Sequence, residues 1–377
     1  MGILDKINDK YKGMFIRRGN ETFFDGGCQR IPTGIFGLDI ITYGGIPAEK
    51  ITIIWGEYSS SKTTIGYKTI GYAQRLCRGC YKRIDGDECK TDGCRFKGKH
   101  KPIRCVLIDV ENSYDALWAT KCGINIDNLW VLMPSYAEQC VDIINDFIRS
   151  DEVDFIMLDS IAHLTPSQEI ENSMEKNQQA ILARVLNKGW RKWVASMLDI
   201  KTDNELRSIP TLFFVNQVRE KVGMSYGDPS VMPGGKGQDF AMHMQIRTYP
   251  RKYLFDEKTK EPVGRQVMAR VTKSKVSPPM EECEFDIFTR DIGVYKAAST
   301  NESKEILKHA LKYGIINRSP QNKYSFTCRG VDFDWKTQKE IYEQLLSSEE
   351  CGGELYYDLR EHTLKTVVES RLGGASL

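Results

Sequence analysis

Nine consecutive residues, Gly56-Glu57-Tyr58-Ser59-Ser60-Ser61-Lys62-Thr63-Thr64, carry the plainest chemistry in the sequence. They follow the apolar run ITIIW and come close to the phosphate-binding pattern G-x-x-x-x-G-K-[ST], with Ser61 where the second glycine belongs. In a strand–loop–helix of this kind, backbone N–H groups and the helix N-terminus surround phosphate oxygens. Lys62 then reaches the β- and γ-phosphates of ATP, and Thr63 ligates Mg²⁺. Serine in a position that needs φ > 0 costs on the order of 1 kcal/mol relative to glycine, a handicap and not a prohibition. Taken alone, the stretch also fits an ordinary serine-rich turn before Lys-Thr.

Three further runs place polar groups at strand ends. VDFIMLDS ends an apolar strand on Asp159, suited to holding the water shell of a magnesium ion. LIDVENSYD ends another on Asp109 and Glu111, where a carboxylate can activate water. TLFFVNQVR puts Gln217 just past a third, where an amide can sense a γ-phosphate. Such strand ends converge where α/β sheets bind ligands. A second chemistry lies in CRGCYKRIDGDECKTDGC: Cys77-x2-Cys80-x8-Cys89-x4-Cys94 is a spacing that closes a tetrahedral Zn²⁺ site, although thiolate softness also admits iron. The segment is basic, with Arg78, Lys82, Arg83, Lys90, Arg95, Lys97, Lys99 and Lys101 against Asp85, Asp87, Glu88 and Asp92, so contact with DNA is open to it. Cys105, Cys122 and Cys140 stand among apolar residues and read as packing, and His163 as a packed loop residue.

These residues need a scaffold. ITIIW (51–55), CVLIDV (105–110), LWVLM (129–133), FIMLD (155–159) and TLFFVN (211–216) read as buried strands separated by helical segments. The expected class is therefore α/β, with a mostly parallel central sheet covered on both faces. HMQIRTY and QVMARVTKSKV add strands, with antiparallel pairing open to them. Beyond Ile292, ESKEILKHALKYGII and KTQKEIYEQLL read as helices and KYSFTCRGVDF as a hairpin, a small α+β unit. We expect an N-terminal arm at 1–30 (Ile3, Ile7, Tyr11, Met14), an ATPase core at 31–295 with an insertion at 77–101, and a C-terminal domain at 296–377. The 377 residues are 41% apolar and 28% charged with a formal charge of +2, so nucleic-acid contact must come from local basic clusters. No run approaches the ~18–20 apolar residues of a membrane span, and the N-terminus lacks a secretory h-region. Its Met-Gly start has Lys6 where myristoylation needs Ser or Thr. Eleven cysteines, four of them clustered, point to a reducing compartment, the cytoplasm, and to a metal site.

From about Ile31 to Leu346 these residues resemble the RecA recombinases. TGIFGLDIITYGGIP resembles that family's entry to the phosphate loop, and DVENSYDALWATKCGINIDNLWV the segment carrying its catalytic glutamate, which falls on Glu111. VDFIMLDSIAHLTPSQEIE and FFVNQVREKVGMSYGDP…GG match almost throughout. RVTKSKVSPP resembles the segment whose paired lysines, here Lys273 and Lys275, reach a nucleotide on the neighbouring subunit. The resemblance implies a RecA-type P-loop ATPase fold and an ATP- and Mg²⁺-dependent helical filament on single-stranded DNA. That filament pairs its strand with homologous double-stranded DNA and exchanges strands. The resemblance also implies possible partnership with single-strand-binding and loader proteins, in a bacterial or phage-infected cytoplasm. Asp115 and Trp118 would contact adenine. Loops at about Gln168–Gln179 and Arg219–Gly235 would line the DNA, with Arg184, Arg191, Arg219, Lys221, Gly234 and Gly235 at its backbone and Val222 wedged between bases.

Several features depart from that family. They are Ser61, the cysteine insertion, a mixed-charge end (EHTLKTVVESRLGGASL) in place of an acidic tail, an extra stretch near Ile200–Ser208, and a somewhat short N-terminal arm. Ser61 resembles the relaxed loop of phage members. The alternatives are a related ATP-driven helicase or branch-migration motor, and a DNA-binding filament scaffold with little ATPase activity.

Overall fold

The computed structural model describes residues 6, 28–84, 88–171, 181–202, 208–220, 230–235, 237–321, 323–328, 330–350 and 353–372. The expected N-terminal arm falls almost wholly outside these residues, as do Lys221, Val222, Asp85, Asp87 and most of both expected DNA loops.

Eight strands make the central sheet. They are β1 (Ile51–Gly56), β2 (Cys105–Asp109), β3 (Leu129–Leu132), β4 (Phe155–Asp159), β5 (Thr211–Gln217), β6 (Met244–Phe255), β7 (Pro262–Ser274) and β8 (Glu282–Phe288). Their order is β8-β7-β6-β1-β5-β4-β2-β3. From β6 to β3 every pairing is parallel; β7 and β8 join antiparallel at one edge. Side chains alternate between the two faces, as the two-residue period of a strand requires. Ile54, Leu107, Met157 and Phe213 enter one core, and Ile53, Val106, Ile156 and Phe214 the other. The first core is covered by α2 (Lys62–Ala73). The second is covered by α4 (Ala137–Ser150) and α5 (Ile181–Thr202), with Trp190 and Trp193 of α5 set edge-to-face 4.8 Å apart. Cys105, Cys122 and Cys140 are buried in these cores, and burial pushes the Cys140 thiol up to about 12.

One strand departs from expectation. LWVLM forms an edge strand and not a buried one: Trp130 and Met133 are 73% and 57% exposed. An apolar run at a sheet edge cannot be told from a central one by composition.

A third core joins α1 (Phe36–Ile41) to the C-terminal segment. That segment holds α7 (Glu302–Lys312), a three-stranded antiparallel sheet (Asn317–Arg318, Tyr324–Cys328, Val331–Trp335), α8 (Gln338–Glu350) and α9 (Glu354–Arg371). The mixed-charge end of the chain is therefore mostly a packed helix. Leu364, Val367 and Val368 of α9 are buried, and so is Arg360, whose guanidinium pairs with both Asp39 of α1 and Glu302 of α7. Among the described residues no helix is long and apolar enough to cross a membrane.

Candidate functional site

The sheet delivers β1 to Gly56, where only glycine fits: a Cβ there would stand 2.2 Å from the Thr248 carbonyl oxygen. The chain then turns through Ser59 (φ 56°) and Ser61 (φ 61°, ψ 25°), both left-handed, and enters α2 at Lys62. The Ser61 hydroxyl makes no capping hydrogen bond that would offset its backbone strain. Ser60 is buried, its Oγ donating to the Glu57 carbonyl (2.7 Å) and lying 2.8 Å from Thr248 Oγ1. Lys62 is 8% exposed and turns inward, its Nζ donating to the Gly56 and Glu57 carbonyls at 3.0 and 2.6 Å. Burial lowers its ammonium pKa, opposed by the charges of Asp159, Glu111 and Glu57. Tyr58 stands exposed at the loop tip.

Thr63 Oγ1 donates to Asp159 Oδ2 at 2.6 Å across the gap between α2 and β4. Burial pushes the Asp159 carboxyl up to about 7, with Glu111 and Asp109 adding to the rise and the Thr63 hydrogen bond and Lys62 opposing it. Its Oδ1 is buried without a hydrogen-bond partner. A hydroxyl beside an unsatisfied carboxylate oxygen is a hard-oxygen donor set that fits Mg²⁺. Thr64 Oγ1 accepts from Trp118 Nε1 at 3.2 Å, which fixes the indole beside the loop. Asp115 caps α3 (Ala116–Lys121), accepting from the Leu117 and Trp118 amides at 2.8 and 3.1 Å.

Past β2 the two acids divide the work. The Asp109 carboxylate folds the loop by accepting from the amides of Glu111, Ser113 and Tyr114 at 3.1, 2.9 and 2.9 Å. That leaves Glu111 to face the site, where Oε1 accepts from Ser160 Oγ (2.5 Å) and Gln217 Nε2 (3.0 Å). His163 corrects the sequence reading. It is not a packed loop residue: its side chain is 46% exposed and its Nδ1 lies 2.8 Å from Glu111 Oε1. The short turn Ile161–His163 after β4 swings the ring back over the strand ends, a consequence of turn geometry that hydrophobic pattern does not carry.

Lys273 and Lys275 lie elsewhere. Lys273 opposes Gln245, which opposes Ile53, whereas Gly56 opposes Thr248 three residues further along the same strands. At ~3.3 Å per residue Lys273 sits about 10 Å back from the start of the phosphate loop, two strands away, and Lys275 further back still. Their ammonium groups donate to the carbonyls of Asp239 and Phe240 (2.8 Å for Lys275) on the short helix α6 (Gly237–Ala241). Burial lowers the Lys275 pKa and Lys273 adds to the fall. Arg184 and Arg191 are exposed along α5, and Gly234 (φ 102°) and Gly235 (φ 80°) pack on the same helix. A Cβ on Gly235 would stand 3.1 Å from that of Ala183. Arg219 is exposed opposite Val231 in a two-residue ladder.

The four cysteines of the insertion converge, their sulfur atoms all within 4.8 Å of one another. Cys77–Cys94 and Cys80–Cys89 are each 3.7 Å apart, too long for a disulfide. A tetrahedron of Zn–S bonds of ~2.3 Å has edges of about 3.8 Å, so the residues fit zinc. Amides of Gly79 and Phe96 donate to the sulfurs of Cys77 and Cys94 at 3.5 and 3.4 Å. The module's arginines turn to the protein. Arg78 pairs with Asp151 (2.7 Å) and Asp154 (3.1 Å), Arg95 donates to Ser208 (2.9 Å), and Arg83 stacks 3.7 Å from the Tyr357 ring. Lys82, Lys90, Lys99 and Lys101 are exposed.

A family model described as the RecA N-terminal domain matches residues 96–293, beginning just past Cys94. Protein RecA of Nautilia profundicola is 34% identical over 77% of this chain and 71% of its own length. Protein RecA of Fusobacterium nucleatum is 32% identical over 95% and 82%, and that of Porphyromonas gingivalis 31% over 95% and 92%.

Proposed function

The chain belongs to the RecA family, and from that premise we propose that it is an ATP-dependent homologous recombinase. It assembles as a helical filament on single-stranded DNA, pairs that strand with homologous duplex and exchanges strands, hydrolysing ATP to ADP and phosphate as it does so. The observation that carries this reading is the convergence, at the C-terminal ends of the adjacent strands β1, β5, β4 and β2, of a left-handed phosphate loop, the Thr63–Asp159 pair and the Glu111–Gln217 pair. Gly56–Thr64 wraps the phosphates with backbone amides, and Lys62 supplies positive charge. Thr63 and Asp159 would hold Mg²⁺, which when bound would neutralise charge on the phosphates. Trp118 stacks on adenine with Asp115 beside it. Glu111 takes a proton from the attacking water, and Gln217 reads the γ-phosphate.

Lys273 and Lys275 serve the neighbouring subunit's nucleotide. Their setback from the phosphate loop of their own chain favours action across an interface. Arg184, Arg191, Arg219 and Lys221, with the amides of Gly234 and Gly235, hold the DNA backbone, and Val222 wedges between bases. Cys77, Cys80, Cys89 and Cys94 hold one structural Zn²⁺. We assign 31–295 to the ATPase core, 77–101 to the zinc insertion, 296–377 to a C-terminal domain and 1–30 to subunit contacts.

The test is a strand-exchange assay between circular single strands and homologous linear duplex, run beside ATP turnover with and without single-stranded DNA. Joint molecules that need both ATP and homology are expected. Duplex unwinding without exchange would point to a helicase instead, and nucleotide binding without DNA-stimulated turnover to a scaffold.

A further inference from the structure

Two segments meet at Glu111: the turn Ser160–His163, and Gln217 at the end of β5. Glu111 Oε1 lies 2.5 Å from Ser160 Oγ, 3.0 Å from Gln217 Nε2 and 2.8 Å from His163 Nδ1. Among the described residues every contact to this carboxylate falls on Oε1. An oxygen that accepts two hydrogen bonds and has an imidazole nitrogen 2.8 Å away has little capacity left to accept a proton, while Oε2 of the same group keeps its lone pairs. To donate to a carboxylate, Nδ1 must carry its proton, as one neutral tautomer or as the imidazolium. The ring also lies 3.1 Å from Ser160 Oγ and 3.4 Å from Gln217 Nε2, so it touches every other member of the group. It is half exposed and adds nothing to either core.

We propose that His163 is a positioning residue for the base: its Nδ1–H pins Glu111 Oε1 and so turns Oε2 towards the water that attacks the γ-phosphate. Oε2 takes one proton of that water, the water oxygen bonds to the γ-phosphorus, and the bond to the β-phosphate oxygen breaks with its electron pair leaving on ADP. His163 matters most when Gln217 turns from Glu111 to the γ-phosphate. Ser160 alone, a single freely rotating hydroxyl, fixes one direction, whereas hydroxyl and imidazole together fix two. A carboxylate swung by about 1 Å loses in-line geometry, and such misplacement costs up to ~10²-fold in rate. The inference rests on the reading of Glu111 as general base and Gln217 as γ-phosphate sensor.

The experiment measures kcat and KM for ATP, on saturating single-stranded DNA, for the parent, His163→Ala, His163→Asn and Glu111→Gln. Asparagine places an amide N–H close to where imidazole Nδ1 sits. The expected result is a kcat about tenfold lower in His163→Ala with KM within about twofold, recovery of most of that loss in His163→Asn, and near-background turnover in Glu111→Gln. Parental kcat in His163→Ala beside an inactive Glu111→Gln overturns the positioning role and leaves the base assignment standing. Equal impairment of His163→Ala and His163→Asn also overturns it, since the donor would then not be what matters. Parental turnover in Glu111→Gln overturns the underlying reading instead.

Discussion

Arg360→Met should loosen the C-terminal helix from the rest of the protein. Arg360, Asp39 and Glu302 have side chains 1%, 0% and 3% exposed, and one guanidinium serves both carboxylates. Methionine keeps most of the volume and removes the charge, leaving two acids buried without their cation. Breaking a buried ion group by removing one partner costs ~3–5 kcal/mol. At roughly 2–4 °C per kcal/mol for large domains, the melting midpoint should fall by about 6–20 °C at pH 8. The effect should depend on pH with a definite sign. Burial already raises the Glu302 carboxyl above its ordinary value, and Arg360 is the largest influence holding it down. Without Arg360 it rises further. A group whose folded pKa is raised favours folding fully below its unfolded value, about 4.3, and loses that contribution as pH rises through the folded value. The gap between variant and parent should therefore be small near pH 5 and largest at pH 8. Differential scanning calorimetry across that range measures it. The triple change Arg360→Met, Asp39→Asn, Glu302→Gln should recover much of the loss, because no buried charge remains. A midpoint unchanged at pH 8, or a gap that widens towards pH 5, would refute the reasoning.

The other predictions concern the sites. Glu111→Gln should keep ATP-analogue binding and lower DNA-stimulated turnover by roughly 10²-fold or more, while Lys62→Ala should weaken nucleotide binding itself, both read by filter binding and phosphate release. Lys273→Ala with Lys275→Ala should leave nucleotide binding by isolated subunits near parental but abolish ATP-driven assembly, read by light scattering; normal assembly would sink the trans assignment. Metal analysis of protein purified without chelator should find one zinc per chain, and Cys80→Ser with Cys89→Ser should find almost none, with the insertion opening to protease while nucleotide binding survives. Ser61→Gly should relieve the left-handed strain and tighten ATP-analogue binding by up to about tenfold, or ~1.4 kcal/mol, in a calorimetric titration; weaker binding would mean that serine is favoured there.

The sheet was legible because its strands are short apolar runs ending in polar residues, and each such end lies where the parallel pairing puts it. The left-handed Ser61 was also legible, since the loop pattern demands glycine there. Three features were not. The edge position of Trp130 depends on which strand has only one neighbour, a property of the order β4-β2-β3 and not of the run itself. The last helix was hidden by its charges, because Arg360 is neutralised by partners 321 and 58 residues away in sequence. His163 approaches Glu111 across 52 residues (163 − 111) of chain, through a turn with no distinctive pattern. The basic insertion was open to two readings, and the structure spends Arg78, Arg83 and Arg95 on contacts within the protein.

This chain should coat single-stranded DNA as an ATP-dependent helical filament with the nucleotide between subunits. Electron microscopy of the protein on circular single-stranded DNA tests it most directly, with a slowly hydrolysed ATP analogue and Mg²⁺. Continuous helical filaments are expected, present with nucleotide, lost without it, and lost again in the Lys273→Ala, Lys275→Ala variant. Isolated rings or scattered particles on the DNA under all of these conditions would contradict the claim.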